Sequence, residues 1–417
     1  MTPRLLVIMG SGETAPTMVK PHRALFERLG PDPVPSVLLD TPYGFQMNAD
    51  DISARAVDYF AASVGRKVEV AEFRRSEGTD PVQRETAIAK VASARWVFAG
   101  PGSPTYALAQ WTGSEIPDLL ADKLAHGGCV VFASAAALTL GRYTVPVYEI
   151  YKVGADPAWA DGMDLLAPVL GPDVAVIPHY DNAEGGNHDT RFCYLGERRL
   201  AALEDQLPGG GWVLGVDEHT ALVLDLDAGH ATVVGNGKVT VRRLGASAVL
   251  DSGDSVRIDA LPTLASGERP AAAPLPPSQE KAAEAPRTAL HGEIRRLESE
   301  FDSAVAARDV VTAVGAILEL DETLAAWAGD TTQSDAGDRG RAALRRMVVR
   351  LGALAETGAR DPREVVGVYV EGLLRERDEA RASRRFADAD RIRDLLTGSG
   401  VEVRDTTDGT VWDLGGA

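Results

Sequence analysis

The sequence predicts an α/β protein: a doubly wound, mostly parallel sheet with helices on both faces, then a linker and a separate, mainly helical C-terminal domain. Three observations predict this arrangement. Short apolar runs alternate with helical patterns up to about residue 250, a segment rich in proline and alanine follows, and helical periodicity then continues almost to the end. Uninterrupted apolar runs are typical of parallel strands buried on both faces. A chain of 417 residues is also long for a single core.

The strands and helices are expected in the following order. Six strands are predicted at 5–9, 36–40, 68–73, 95–100, 129–133 and 174–178, with runs such as "LLVIM" and "CVVFA". Apolar residues recur at helical spacing between them, which predicts crossover helices. Four later strands in "WVLGV", "ALVLDL", "ATVVG" and "KVTVRR" are separated by short turns and predict an antiparallel extension. We therefore expect a first domain over 1–260, a Pro/Ala-rich linker over 261–290 and a helical domain over 291–417.

Charge and cysteine content restrict the classes of partner and compartment. A net charge of -18 repels phosphate backbones, so nucleic-acid binding would need a local basic patch. Two cysteines, Cys129 and Cys193, cannot build a disulfide framework or a structural zinc site. No apolar run approaches the roughly 20 residues of a membrane span. These features predict a cytoplasmic protein with no membrane partner, and we expect no metal and no cofactor.

Ser134 lies at a cramped junction between a strand and a helix, in "GGCVVFASAAALTLGR". Reactive groups in doubly wound sheets lie at the carboxyl ends of strands. A strained turn at that place exposes the side chain and points the next backbone N–H outward, where it can stabilise an oxyanion. The alternative is that Ser134 only caps the following helix.

Three other segments supply groups that a nucleophilic serine would use. Gly102, in "FAGPGSPTYAL", allows the backbone to approach a substrate oxygen, and His179, at the end of the strand in "VIPHYDNAEGGNH", can act as a general base. Glu149, fifteen residues after Ser134, offers a carboxylate to orient the imidazole. These residues fit the roles of a serine, glutamate and histidine triad. A solvated surface carboxylate is the alternative for Glu149.

The first 250 residues resemble the serine peptidase family that contains dipeptidase E and cyanophycinase, which has the class I glutamine amidotransferase-like fold. The matching segments are "FASAAA" (132–137), "GPGSP", "PHYDNAEGGNH" and "GVDEHTALVLD" (215–225). The resemblance implies that Ser134 is the nucleophile, His179 the base and Glu149 the third member. It further implies that the amides of Gly102 and Ala135 hold the oxyanion.

The resemblance also implies substrate-binding residues, and it has two departures at the serine turn. Ser103, Asn182 and His188 are the residues expected to contact substrate. Phe132 and Ala136 stand where the family has glycines. We expect the bulky Phe132 to crowd the turn.

The C-terminal end resembles the C-terminal region of cysteinyl-tRNA synthetases. The matching residues are Arg381, Arg385, Phe386, Ala387, Asp390, Ile392, Arg393, Gly400, Asp405, Thr406, Gly409, Thr410 and Trp412. The synthetase signatures His-Ile-Gly-His and Lys-Met-Ser-Lys-Ser are missing from the sequence, so amino-acid activation is not expected.

The charges of this end leave two roles open. From Glu293 onward the chain has 18 arginines and no lysine, against 25 acidic residues. An arginine cluster (Arg375, Arg377, Arg381, Arg384, Arg385, Arg391 and Arg393) is compatible with binding tRNA. The interleaved acidic residues are equally typical of salt-bridged, solvated helices with a scaffold or oligomerisation role.

The function predicted from these features is a serine-type hydrolase that cleaves a peptide or amide bond through an acyl-enzyme on Ser134. The partner expected is a small peptide or amide substrate, and tRNA and a second copy of the chain are further candidates. One alternative is a non-catalytic binding module. The other is a hydrolase or acyl transferase that works on aminoacyl- or peptidyl-tRNA, with the synthetase-like tail presenting the substrate.

Overall fold

The structure is a computed structural model that describes residues 2–183, 188–265, 290–307, 309–328, 336–358, 362–406 and 409–415. The chain divides into two compact units, Met1–Arg296 with Leu320–Arg341, and Leu297–Glu319 with Ala342–Ala417. No helix among the described residues is both long enough and apolar enough to span a bilayer.

The strands are, in chain order, β1 (Arg4–Met9), β2 (Ser36–Leu39), β3 (Glu69–Ala71), β4 (Trp96–Ala99), β5 (Gly128–Ala133), β6 (Tyr143–Thr144), β7 (Ala160–Asp161), β8 (Val174–Ile177), β9 (Trp212–Val216), β10 (Thr220–Asp225), β11 (His230–Gly235), β12 (Lys238–Arg243), β13 (Ala246–Asp251), β14 (Ser255–Arg257), β15 (Val401–Thr406) and β16 (Gly409–Leu414). All ten strands expected from the sequence are present.

The α-helices are α1 (Val19–Leu29), α2 (Ala49–Tyr59), α3 (Pro81–Ser93), α4 (Pro104–Trp111), α5 (Ile116–His126), α6 (Ser134–Leu138), α7 (Ala167–Leu170), α8 (Gly196–Glu204), α9 (Leu261–Leu264), α10 (Leu290–Ala307), α11 (Val310–Ala326), α12 (Ala336–Gly358), α13 (Pro362–Ala382) and α14 (Phe386–Gly398). Proline at the start of α3, α4 and α5 is favourable, because the first helical N–H has no partner within a helix.

The first sheet has eight strands in the order β14-β11-β10-β1-β5-β4-β2-β3. β1, β5, β4, β2 and β3 are parallel, and β10, β11 and β14 extend the sheet in antiparallel fashion. Every residue of β2, β4 and β5 is buried, as the apolar runs predict for strands covered on both faces.

A second sheet of six strands, β13-β12-β9-β8-β6-β7, differs from the single sheet expected from the sequence. β8 pairs in parallel with β9 and β6, while β12 pairs with β9 in antiparallel fashion. The α/β class with a mostly helical C-terminal region is confirmed. The strand pattern alone could not separate the sheets, because an apolar run looks the same whichever sheet it joins.

The two sheets share one hydrophobic core. Val130 and Phe132 of β5 pack in the same buried cluster as Val176 of β8 and Leu214 of β9. Apolar burial of this kind is the main favourable contribution to folding, at about 25 cal/mol for each Å² removed from water.

The folded region continues beyond residue 260, where the sequence places the start of the linker. Leu261, Leu264 and Ala265 are buried in the shared core, since α9 packs against it. The remainder of the predicted linker, 266–289, lies outside the described residues, and α10 begins at Leu290.

The C-terminal end has its own small core. Val370 and Leu374 of α13 and Leu396 of α14 pack with Val401 and Val403 of β15. β15 and β16 form an antiparallel hairpin in which Val403 pairs with Trp412. The predicted helical pattern followed by short strands is therefore present over these residues.

Candidate active site

Ser134 stands in a sharp turn at the carboxyl end of β5. α6 begins directly after Ala133, and the φ angle of Ser134 is 50°, in the left-handed region that non-glycine residues rarely occupy. The turn is held by the backbone N–H of Ala136, which donates to Gly100 O on the neighbouring loop at 3.1 Å. α6 has no side-chain cap, its N-cap residue being Ala133. The Ser134 hydroxyl instead bonds to His179.

His179, which follows a strand of the second sheet, contacts the hydroxyl of Ser134, which follows a strand of the first. It follows β8, its φ angle is 49°, and its Nε2 lies 2.9 Å from Ser134 Oγ. Its Nδ1 lies 2.8 Å from Oε1 of Glu218. An ionised carboxylate only accepts hydrogen bonds, so Glu218 favours the tautomer with a proton on Nδ1. Nε2 then has a lone pair that can accept the serine proton.

Glu218, which the sequence analysis did not select, is the carboxylate that bonds to His179. It follows β9, and the parallel register in which Ile177 pairs with Gly215 brings the ends of β8 and β9 to the same sheet edge. Residues after both strands therefore face each other. The segment "GVDEHTALVLD" carries the family resemblance, but the sequence alone predicts no role for its glutamate. Pairing of the two neighbouring parallel strands is the signal that identifies it.

Two neighbours besides His179 hold Glu218, one at its carboxylate and one at its backbone. Nδ2 of Asn182 donates to the same Oε1 at 3.3 Å, and the backbone N–H of Glu218 donates to Asp181 Oδ1 at 2.8 Å. Burial alone would raise the pKa of Glu218, but the hydrogen bond and charge of His179 outweigh it and lower the pKa below its usual value. Glu218 is therefore ionised near neutral pH and stabilises a positively charged imidazole.

A second carboxylate beside Glu218 has the opposite shift. Burial, and then the charge of Asp181, raises the pKa of Asp217 to about 7. Its Oδ2 accepts the backbone N–H of Lys238 at 2.9 Å, which ties the end of β9 to β12. Neighbouring carboxylates with pKa values displaced in opposite directions are typical of functional sites.

Glu149 does not orient His179, so that assignment is wrong. It opens a single π-helical turn, Glu149–Val153, and its Oε1 accepts a hydrogen bond from Thr105 Oγ1 at 2.8 Å. The position at His179 Nδ1 is taken by Glu218. The solvated-surface alternative does not hold either, because Oε2 of Glu149 is buried and has no hydrogen-bond partner among the described residues.

The two amides expected to hold an oxyanion lie on adjoining segments. Ala135 follows Ser134, and Gly102 lies on the loop after β4 with a φ angle of 138°. A Cβ on Gly102 would lie 2.0 Å from Pro42 O, so only glycine fits this approach. Within the described part of the chain, neither amide N–H donates to another residue. Both remain available to a substrate oxygen.

Of the three residues expected to contact substrate, two have structural tasks. Ser103 is buried, and its Oγ caps α4 by accepting the N–H of Tyr106 at 3.2 Å. Asn182 is 1% exposed and holds Glu218. These hydrogen bonds give both side chains partners within the protein, and their contact with substrate stays a prediction. His188 is exposed, next to residues 184–187, which lie outside the described residues.

Phe132 does not crowd the serine turn, contrary to expectation. Successive side chains of a strand point to opposite faces, and that of Phe132 points into the shared core, with its ring centroid 5.6 Å from that of Trp111. Ala136 is likewise fully buried in that core. The shared core accommodates both side chains.

The arginine cluster of the C-terminal end is divided by its ion pairs. Arg377 and Arg381 bind Asp405, and Arg385 and Arg391 bind Asp388. Four arginines of the cluster therefore belong to a salt-bridged face, as one of the two expectations predicts. The other three (Arg375, Arg384 and Arg393) are exposed and make no ion pair with the described residues.

Comparison with known families separates the two halves of the chain. Residues 368–412 match the cysteinyl-tRNA ligase anticodon-binding domain. The cysteine–tRNA ligase of Leifsonia xyli subsp. xyli is 35% identical over 107 residues, which cover 24% of this chain and 22% of the relative. That of Streptococcus pyogenes serotype M3 is 33% identical over 125 residues, covering 30% and 25%. The chain thus spans a quarter or less of the length of these relatives, and the C-terminal resemblance is confirmed.

Solved structures match the other half. A peptidase from an acI-B1 actinobacterium is 21% identical, with a TM-score of 0.50, and the match covers 61% of this chain and 97% of that one. A protein described as a putative peptidase E from Listeria monocytogenes EGD-e is 14% identical, with a TM-score of 0.35 over 58% of this chain and 100% of that one. The first likeness confirms a peptidase-like fold for the N-terminal half.

Proposed function

We propose that the N-terminal half is a serine-type hydrolase that cleaves a peptide or amide bond. Ser134 Oγ attacks the substrate carbonyl and transfers its proton to His179 Nε2, and Glu218 stabilises the imidazolium that forms. The amides of Gly102 and Ala135 hold the oxyanion. His179 then gives the proton to the leaving amine, and water hydrolyses the acyl-enzyme by the same route.

The observation that carries this proposal is the line of hydrogen bonds from Ser134 through His179 to Glu218. Its distances are 2.9 Å and 2.8 Å, within the range in which a base removes a proton. The left-handed φ of Ser134 adds to this, because backbone strain on a non-glycine residue costs roughly 1–3 kcal/mol and persists only when the surrounding structure holds it. The peptidase-like fold is compatible with this chemistry but does not establish it.

A small fluorophosphonate probe tests the proposal directly. We expect it to label the wild-type protein at Ser134, as mapped by peptide mass spectrometry, and to leave Ser134→Ala unlabelled. Ser93→Ala is the matched control, because the Ser93 hydroxyl bonds only to carbonyls of its own helix. Circular dichroism establishes that both variants are folded. Labelling of Ser134→Ala at the wild-type rate, or of neither protein, would overturn the assignment.

A second candidate function is tRNA binding by the C-terminal end, which the match of residues 368–412 favours. Arg375, Arg384 and Arg393 are the groups free to contact phosphates. Each phosphate contact adds about 0.7–0.9 to the slope of log affinity against log salt. Replacing all three arginines with alanine should therefore weaken binding of total tRNA by the full chain and lower that slope by about 2 to 3.

The control for this experiment is Arg346→Ala, which removes a cation that already pairs with Glu298. It should leave the slope near that of the wild type. If the wild-type chain does not retain tRNA at low salt, the scaffold or oligomerisation role replaces this candidate. If it does, release of amino acid from aminoacyl-tRNA by the wild type and not by Ser134→Ala would connect the two halves in one reaction.

A further inference from the structure

Glu149 has a carboxylate oxygen that the described part of the protein leaves unsatisfied. Thr105 Oγ1 donates to Oε1, but Oε2 is buried and has no hydrogen-bond partner there. A buried polar atom without a partner costs about 1–3 kcal/mol, and more when it is charged. A ligand that donates a hydrogen bond to Oε2 would remove this cost, and it would explain why the protein keeps a carboxylate here.

The contacts of Glu149 place this oxygen beside the proposed oxyanion site. Thr105 lies in the first turn of α4, three residues after Gly102, and its hydroxyl is 3.0 Å from that of Ser103. Ser103 is held in turn by its N–H, which donates to Pro42 O at 2.8 Å. The carboxylate therefore lies next to the loop that would hold the substrate carbonyl oxygen.

Two aromatic residues, one on α4 and one on the segment after β2, form an aromatic wall beside this loop. The ring centroid of Tyr106, the residue after Thr105, lies 5.1 Å from that of Phe45, which is 47% exposed. Aromatic faces attract cations, and alkyl chains pack well against them. A side chain with an apolar stem and a charged end fits a wall of this kind next to a carboxylate.

The charges near the site favour a cation as well. Glu218 bonds to the base, and Asp181 accepts the backbone N–H of Glu218. Lys152, on the same helical turn as Glu149, lies 5.0 Å from the centre of the Tyr148 ring, and no ion pair joins it to Glu149 among the described residues. The Glu149 carboxylate thus has no ion-pair partner among the described residues.

We propose that Glu149 binds a guanidinium or ammonium group on the residue that supplies the acyl carbonyl. The inference rests on the proposed hydrolase function, and it names the substrate class: amides and peptides whose acyl residue is positively charged. Oε2 accepts the N–H of the cation, while Thr105 holds Oε1 and so fixes the orientation of the carboxylate. Charge-assisted hydrogen bonds of this kind are about twice as strong as neutral ones.

Two diphenyl phosphonates that differ in charge provide the test. The analogues of arginine and citrulline have side chains of nearly equal shape, and both label a reactive serine by displacing phenol. We expect the wild type to react with the arginine analogue about tenfold faster than with the citrulline analogue, as one charged hydrogen bond would give. In Glu149→Gln the ratio of the two rates should fall to about one.

Controls separate failure of this inference from failure of the proposed function. Asp58→Asn removes one exposed negative charge from α2 of the same domain and should keep the wild-type ratio. Glu149→Asp should retain a preference for the cation, and its melting curve reports whether the turn is intact. A wild-type ratio of one, or an unchanged ratio in Glu149→Gln, overturns the subsite while small-probe labelling of Ser134 still supports the hydrolase. Failure of both phosphonates on a chain that the small probe labels also counts against the subsite, and failure of the small probe itself overturns both.

Discussion

Replacing Glu218 with glutamine tests which carboxylate supports His179. The substitution keeps the size of the side chain and removes one negative charge 2.8 Å from Nδ1. Because Nδ2 of Asn182 donates to Oε1, the glutamine should keep its carbonyl oxygen toward His179. The tautomer is then preserved, and the variant isolates the effect of charge on the imidazolium.

The expected magnitude follows from the distance and the exposure of the pair. Two unit charges about 4 Å apart interact by about 4 kcal/mol at an effective dielectric constant of 20. The Glu218 side chain is 25% exposed and that of His179 13%, so solvent screening reduces this interaction. We take about half, roughly 2 to 3 kcal/mol, which slows acylation by about 10²-fold at 1.36 kcal/mol for each factor of ten.

The second-order rate constant for fluorophosphonate labelling of Ser134 is the appropriate assay, because it does not require a known substrate. Asn182→Ala combined with Glu218→Gln should be slower still, since the glutamine can then turn its amide N–H₂ toward Nδ1 and impose the wrong tautomer. A Glu218→Gln rate within about threefold of the wild type would refute the reasoning. The reasoning would also be refuted if Glu149→Gln slowed the labelling of Ser134 more than Glu218→Gln did.

Three further predictions concern stability. Burial lowers the pKa of His22 from its usual 6.5 to about 4. Between these two pH values the unfolded chain binds a proton at His22 and the folded chain does not, so the free energy of unfolding falls as the pH drops, by up to about 3 kcal/mol. His22→Gln, which keeps a donor for Glu13 O, should lose this part of the pH dependence in urea unfolding at pH 7 and pH 4.5, and equal dependence in both proteins would contradict the assignment. Phe132→Ala should cost about 3–5 kcal/mol in the same assay, since the ring is fully buried, and a loss below about 1 kcal/mol would mean that the ring is not packed in the core. Asp405→Asn should speed amide exchange in α13, because it removes the carboxylate that binds the buried Arg377 at 2.7 Å and 2.8 Å, whereas unchanged exchange would show that this pair does not hold the helix.

The strands and the serine turn were predictable because their signals are local. The apolar run of β5 ends at the small residues around Ser134, and His179 closes another such run, so both strand ends could be located from the chain alone. Their meeting in space depends on sheet order, which the alternation of strands and helices does not determine.

The third carboxylate shows the limit of reasoning along the chain. Glu149 was chosen for its position between Ser134 and His179, whereas Glu218 is selected by the pairing of β8 with β9. Phe132 failed as a prediction for a related reason. The glycine that the family has at this position indicates that another part of the chain lies close to β5. In this protein the Phe132 ring instead packs against Trp111 of α4, and this contact is not visible in the sequence.

The site draws its serine from one sheet and its base and orienting carboxylate from the other. His179 and Glu218 follow two directly paired strands, β8 and β9, so the pairing of these strands fixes their separation. Of the two hydrogen bonds in the line, the one from Ser134 to His179 joins residues that follow strands of different sheets. Mild warming or low denaturant should therefore reduce the reactivity of Ser134 while the far-ultraviolet circular dichroism spectrum is unchanged. A shift of about 1 Å between the two sheets is enough to break the hydrogen bond between Ser134 and His179.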